Sequence, residues 1–265
     1  MMKEFIVEST PAKRILIVTD VHNCHLHWYD TTTCDRLNFM CQALCAEYEK
    51  RPFDCILSLG DYSLDFWQHG EGGSYLWEKP VSNTQNFVQT YVEKLPKRLF
   101  MLPGNHEQYG DKDWEKITGY PREYAVVYGN NVFVMADTFG GNLDPKHHHD
   151  GVYTGVNPAL LTEVLRAHPD KKIFLCAHDF IPALESPQTQ KIICENKQIV
   201  CAFTGHTHRD NTVILSDEWR NMPVFYCGDF SYNLARDREK NWGYRTLDFK
   251  EGVFSTEYVR CLQKD

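Results

Sequence analysis

Short apolar runs recur along the chain, and many of them stop at Asp, Gly or His. They fall at 14–20 (RILIVTD), 54–61 (DCILSLGD), 98–104 (RLFMLPG), 131–137 (NVFVMAD), 171–178 (KKIFLCAH) and 199–205 (IVCAFTG). More follow at 212–217, 224–229, 244–249 and near 254–259. Such brief stretches, rich in Val, Ile, Leu and Phe, predict strands buried on both faces. Three gaps carry helical spacing instead: 33–50 (Leu37, Met40, Cys41, Leu44, Cys45, Tyr48), 84–95 (Phe87, Tyr91, Val92, Leu95) and 158–168 (Leu160, Leu161, Val164, Leu165). Asn157 before Pro158 reads as an N-cap followed by a first-turn proline. Strand–helix alternation early and consecutive strands late predict a layered α/β protein with one mixed sheet or two sheets. The least regular stretches are 62–83 and 138–157, and residues 109–125 read as a loop.

A chain of 265 residues fits one large domain or two small ones. It contains no internal repeat, low-complexity tract or linker, so one domain over 1–265 is the expectation. The net charge of −8 disfavours nucleic-acid binding, because an acidic surface repels a phosphate backbone. A small phosphorylated substrate is still compatible, since bound cations would dominate the local field. None of the 10 cysteines forms a C-x-x-C pair, which argues against zinc-ribbon and thioredoxin readings. Several, such as Cys55 and Cys201, lie inside apolar runs and act there as small hydrophobes. A chain this long needs no disulfide staples, so reduced thiols and a cytoplasmic location are expected. The start, MMKEFIVESTPAK, has no apolar core of a signal peptide. No apolar run approaches the ~18 residues of a membrane span, so no membrane partner is expected.

The strand ends carry the chemistry. Asp20 and His22 follow the first run, and Gly60-Asp61 ends the second. Gly104-Asn105-His106-Glu107 ends the third, His178 the fifth and Gly205-His206-Thr207-His208 the sixth. In open α/β sheets that edge is where ligands bind. Singly, Asp20 or Asp61 reads as a turn residue; together the clusters form a mixed N/O donor set without thiolate. Such a set suits Zn, Mn, Fe or Ni. It exceeds what one catalytic ion takes, about three protein ligands, and so predicts two metal ions sharing a carboxylate. The D-x-H and H-x-H pairs are expected on extended segments, with alternate side chains to one side. Gly60, Gly104 and Gly205 precede their ligands, where a tight turn or close backbone approach to an ion favours a residue without Cβ.

In this order, D-x-H, G-D, G-N-H-E, H and G-H-x-H resemble the calcineurin-like metallophosphoesterases, from Asp20 to His208. The resemblance implies a four-layer α/β/β/α sandwich of two mixed β-sheets flanked by helices, with metals at the strand ends. It implies that Asp20, His22, Asp61 and His208 hold one divalent or trivalent ion. Asp61 would bridge to a second, held with Asn105, His178 and His206. His106 would contact phosphate and protonate the leaving oxygen, and Glu107 would orient His106 through its other ring nitrogen. The implied activity is hydrolysis of phosphate esters by a metal-bridging hydroxide.

The segment Gly60-Asp61-Tyr62-Ser63-Leu64-Asp65 holds no Arg or Lys, unlike the protein Ser/Thr phosphatase branch. The chain looks closer to small bacterial phosphoesterases and phosphodiesterases. A small diester or nucleotide-like substrate is therefore expected, with Trp67, Tyr75, Trp77, Tyr109 and Trp114 as flat faces for a base. The alternatives are a phosphomonoesterase, including a protein Ser/Thr phosphatase, and a non-catalytic metal-binding scaffold. Several features read as structure rather than chemistry. Gly228-Asp229 reads as a turn, His147-His148-His149 as a solvated loop, and Asp179 as a strand-end residue. Cys24 reads as inert burial, while His25 and His27 fit a surface loop as well as a substrate contact.

Overall fold

The apolar runs become strands of two sheets in the computed structural model, which describes residues 2–8, 10, 13–24, 32–67, 82–231 and 242–261. The chain order is β1 Glu4–Val7, β2 Arg14–Val18, α1 Thr33–Lys50, β3 Cys55–Ser58, α2 Asn83–Thr90, β4 Leu99–Met101, α3 Asp111–Thr118, β5 Tyr124–Tyr128 and β6 Asn131–Ala136. It continues with α4 Pro158–Ala167, β7 Lys172–Ala177, α5 Pro187–Glu195, β8 Ile199–Thr204, β9 Thr212–Ile214, β10 Pro223–Tyr226, β11 Gly243–Lys250 and β12 Val253–Arg260. One sheet runs β12-β11-β2-β3-β4 and the other β1-β5-β6-β7-β8-β10-β9. Strands β2, β3 and β4 are mutually parallel, as are β6, β7, β8 and β10; β11–β12, β5–β6 and β9–β10 are antiparallel pairs. Both sheets are therefore mixed.

Alternation along the inner strands sorts the two cores. In β7, Phe174 and Cys176 join the core that contains α1 (Leu37, Met40, Leu44) and the five-stranded sheet. There Phe174 meets Phe249 of β11 edge-on at 5.9 Å. Ile173 and Leu175 face the other way, onto Leu160, Leu161 and Val164 of α4 and Ile193 of α5. The result is the expected helix/sheet/sheet/helix layering.

The helix at 33–50 starts where its cap predicts: Thr32 Oγ1 accepts from Asp35 N at 3.0 Å. Asn157 likewise caps α4, with Pro158 in the first turn. The pattern at 84–95 ends early, as α2 followed by a 3-10 turn at Val92–Lys94. Four elements went unread in the sequence: β1, β5, α3 and α5. Helix α3 buries a single residue, Trp114, so it shows no apolar stripe. Helix α5 buries only Thr189 and Ile193. Strand β1 is a four-residue edge strand of mixed exposure. Among the described residues no helix is long and apolar enough to cross a membrane.

Candidate metal centre

Parallel strands deliver their C-terminal ends to one edge. Beyond β2 lie Asp20 and His22, beyond β3 Asp61, beyond β4 Asn105 and His106, beyond β7 His178, and beyond β8 His206 and His208. Five of these residues have left-handed backbone: Asp20 (φ 52°), His22 (44°), Asp61 (58°), His206 (61°) and His208 (55°). Non-glycine residues rarely adopt this region, and strained backbone of this kind clusters at functional sites. The D-x-H and H-x-H pairs are thus not extended segments, as expected from sequence, but tight turns. Backbone bonds stitch the turns together: Asp20 N to Gly60 O (3.1 Å), Val21 N and His22 N to Asp61 O (3.0 and 2.9 Å) and Gly205 N to His178 O (2.9 Å). Below them, the buried Arg36 guanidinium donates to the carbonyls of Val21, His22 and Phe230.

Two donor groups result. Asp20, His22 and His208 form one; Asp61, His178 and His206 form the other, and within each the ligand atoms lie within 4.8 Å of one another. Neighbours aim each donor. Thr19 Oγ1 and His206 N donate to Asp20 Oδ2 at 2.7 and 3.0 Å. Its Oδ1 is buried and accepts no hydrogen bond. That atom sits 3.3 Å from His208 Nε2 and 3.6 Å from His22 Nε2. His106 N donates to Asp61 Oδ1 at 3.2 Å. Asp61 Oδ2 then lies 3.3 Å from His22 Nε2 in the first group and 3.1 Å from His178 Nε2 in the second. His178 Nδ1 donates to Leu59 O at 2.7 Å, turning Nε2 toward the site. Asn105 Nδ2 donates to Asp150 O at 3.0 Å, turning Oδ1 to 2.8 Å from His178 Nε2 and 3.0 Å from His206 Nδ1.

These residues fit a metal pair. Ligands about 2.1 Å from a common ion lie about 3.0–3.4 Å apart, close to the spacings found here. Two fully buried carboxylates also need compensating positive charge. In the metal-free protein the imidazoles supply it. Burial alone would raise the Asp20 and Asp61 carboxyls, but His208 and His178, respectively, outweigh it and hold both below the usual range. In return, against the cost of burial, Asp61 and Asp20 push His178 up to about 10, and Asp20 pushes His208 up to about 9. Burial and the charge of His178 push His206 down.

His106 lies at the rim of both groups. Its ring is 5.4 Å from that of His22, and its Nε2 is 3.9 Å from Asp61 Oδ2. Burial, against the pull of Asp61, lowers its imidazole to about 4. Its Nδ1 is buried without a hydrogen-bond partner. Glu107 therefore does not orient this ring. Its carboxylate accepts instead from Asp61 N (2.8 Å), Tyr62 N (2.9 Å), Ser63 N (3.1 Å) and Gly104 N (2.9 Å). It locks the turn that carries Asp61.

Asp229, read as a turn residue, is 1% exposed. Burial, with Asp20, raises its carboxyl to about 6 while the charge of His208 opposes them, and its Oδ1 accepts from Ser231 N at 2.9 Å. The signal was present in the sequence: Gly228-Asp229 ends a strand just as Gly60-Asp61 does. Asp179 Oδ2 is 3.9 Å from His206 Nε2, on the side of the ring away from Asn105. Cys24 is buried with Leu64, and Trp67 packs against them. Trp114 is fully buried and cannot stack on a ligand. Tyr109 packs on Phe66 at 4.8 Å and donates to Asp65. His25, His27, Tyr75 and Trp77 lie outside the described residues. His147 is exposed beside Asp144 at 2.9 Å, as a solvated loop would have it.

The layered fold, with oxygen and nitrogen donors converging at its strand ends, defines a metallophosphoesterase. The chain belongs to the calcineurin-like phosphoesterases, whose family model matches residues 13–210. It is a metal-dependent phosphoester hydrolase by class. No curated protein sequence matches it. Among solved structures it is similar to a purple acid phosphatase from yellow lupin (Lupinus luteus) seeds, at 14% identity and TM-score 0.55. That match covers 94% of this chain and 51% of the lupin chain, so this protein spans about half of its length. A predicted phosphoesterase from Streptococcus pneumoniae is similar over 94% of this chain and 89% of its own, at 12% identity and TM-score 0.40. Vacuolar Protein Sorting 29 from Cryptosporidium parvum matches over 95% and 98%, at 11% identity and TM-score 0.39. At these identities the lupin likeness speaks for the fold alone.

Proposed function

We propose that this protein hydrolyses phosphodiesters or small nucleotide-like phosphate esters with a pair of metal ions. The observation that carries the reading is Asp61 Oδ2, set between His22 of one donor group and His178 of the other. Asp20, His22, Asp61 and His208 would hold one ion; Asp61, Asn105, His178 and His206 the other. Mn, Fe, Zn and Ni all suit these donors. When bound, the metal pair supplies Lewis acidity and a nucleophile at neutral pH. His106 serves the leaving oxygen from the rim of both groups. The diester preference rests on charge: Gly60–Asp65 offers no Arg or Lys to grip a phosphate dianion. A diester carries less charge and needs less cationic help. None of the 10 cysteines forms a disulfide, in keeping with a reducing, cytoplasmic setting for a small phosphorylated substrate.

The test is turnover of monoester and diester substrates by protein loaded with Mn, Fe, Zn or Ni, with elemental analysis of the same samples. Diester hydrolysis is expected, and Asp61→Asn should abolish nearly all of it while lowering metal content. Phosphate release from phosphoserine peptides without diester turnover would overturn the substrate reading. Wild-type turnover by Asp61→Asn with two ions bound would overturn the bridging role.

A further inference from the structure

Helix α1 carries an arginine where a helix gains least from one. Arg36 lies in its first turn, beyond the Thr32 cap, so its charge opposes the helix dipole. The residue is only 4% exposed, and a buried guanidinium is costly unless its N–H groups find acceptors. Three carbonyls from two distant loops offset that cost. Nη1 donates to Val21 O and to Phe230 O, and Nη2 donates to His22 O at 3.0 Å. Nη2 also reaches Thr33 Oγ1 at 3.4 Å. Phe230 N donates in turn to Asp20 O at 3.2 Å. Arg36 thus joins the turn that bears Asp20 and His22 to the segment that follows β10. The Phe230 end of this clamp lies past residue 210, where the family match stops.

We propose that Arg36 is a positioning residue for one ion site alone, that of Asp20, His22 and His208. This rests on the reading of two metal ions proposed above. His22 has left-handed backbone (φ 44°), which a residue with a Cβ does not hold unaided. The bonds to Val21 O and His22 O fix that turn from beneath. Without them it relaxes toward ordinary backbone, and the His22 ring swings away from Asp20 and Asp61. The other donor group rests on different supports. Glu107 anchors the Asp61 turn, Leu59 O orients His178, and Asp150 O orients Asn105.

Calorimetric titration of chelator-treated protein with Mn(II), read alongside electron paramagnetic resonance, tests this. Wild type should bind two ions as a coupled pair. Arg36→Ala should weaken one binding step by about 100-fold and Arg36→Lys by about 10-fold, since an ammonium lacks the planar fork that serves separate carbonyls at once. The other step should keep its wild-type constant. At a Mn(II) concentration that fills both wild-type sites, the variants should show an isolated ion. That spectrum should match His22→Ala, which removes a ligand of the same site, and not His178→Ala. Arg36→Lys keeps the buried charge, so the comparison stands even where Arg36→Ala does not fold. Equal weakening of both steps, or a match to His178→Ala, overturns the proposal. A coupled pair of unchanged affinity in the Arg36 variants also overturns it and leaves the two-ion reading standing. Fewer than two ions in wild type overturns that reading, and this inference with it.

Discussion

Glu107 shows how one buried side chain can shape a site without entering it. Its two oxygens each take two backbone N–H groups, Asp61 and Gly104 on Oε2, Tyr62 and Ser63 on Oε1. Burial and the charge of Asp61 push its carboxyl up to about 8, against N–H donors that favour the anion. Glutamine in its place would set an amide donor against two N–H groups. Each buried polar group left unmade costs about 1–3 kcal/mol. Glu107→Gln should therefore destabilise by about 2–4 kcal/mol and lower metal content, because the turn carrying Asp61 loses its anchor. Chemical denaturation with elemental analysis checks both; wild-type stability and full metal loading would show the four bonds to be dispensable.

The ligand-bearing turns are packed closely against one another. A Cβ on Gly104 would lie 2.1 Å from Asp61 Oδ1 and 2.5 Å from Asp61 N. One on Gly205 would lie 2.1 Å from Thr19 Oγ1 and 2.4 Å from Asp20 Oδ2. The close approach expected from these glycines is real, but the partner is a neighbouring turn. Gly104→Ala must displace either the end of β4 or the Asp61 turn. It is expected to lose most of its activity and metal and to melt well below wild type. Gly110→Ala, where a Cβ meets nothing within 4 Å, is the control. Equal melting and metal content in the two variants would show that the turns can slide apart freely.

For the molecule as a whole, metal binding and proton binding compete for the same donors. In the metal-free protein His178, near 10, and His208, near 9, hold protons at neutral pH. Both lie above the unfolded value of about 6.5. Their contribution to metal-free stability is complete below about pH 6.5 and fades as pH rises through 9 to 10. A metal must displace these protons, so its apparent affinity grows over the same interval. The gap in Tm between loaded and chelator-treated protein should widen from pH 6 to pH 9. Calorimetric melting across that range provides the measurement. A gap independent of pH would mean that the metal-free imidazoles are neutral.

Much of the donor set was legible in the chain because strands buried on both faces leave uninterrupted apolar runs. Each run ends where polar side chains replace apolar ones, although burial continues past that point, and so Asp20, Asp61, Asn105, His178 and His206 could be placed by position. The layering followed from strand–helix order. Elements with thin apolar signatures did not show: α3 rests on Trp114 alone, and β1 is a short edge strand. Tertiary structure alone decided the rest, because it depends on which turn lies beside which. The left-handed backbone at Asp20, His22, Asp61, His206 and His208 is stabilised by bonds between segments far apart in sequence. The direction taken by Glu107 depends on the N–H groups of a turn 44 to 46 residues away. Trp114, open to a ligand by sequence, is claimed by the core. The loop at 138–157 has no pattern of its own, and only its hydrogen bonds to Asn105 and Gln108 make it part of the site. Sequence determined which atoms could bind metal, and packing determined where they point.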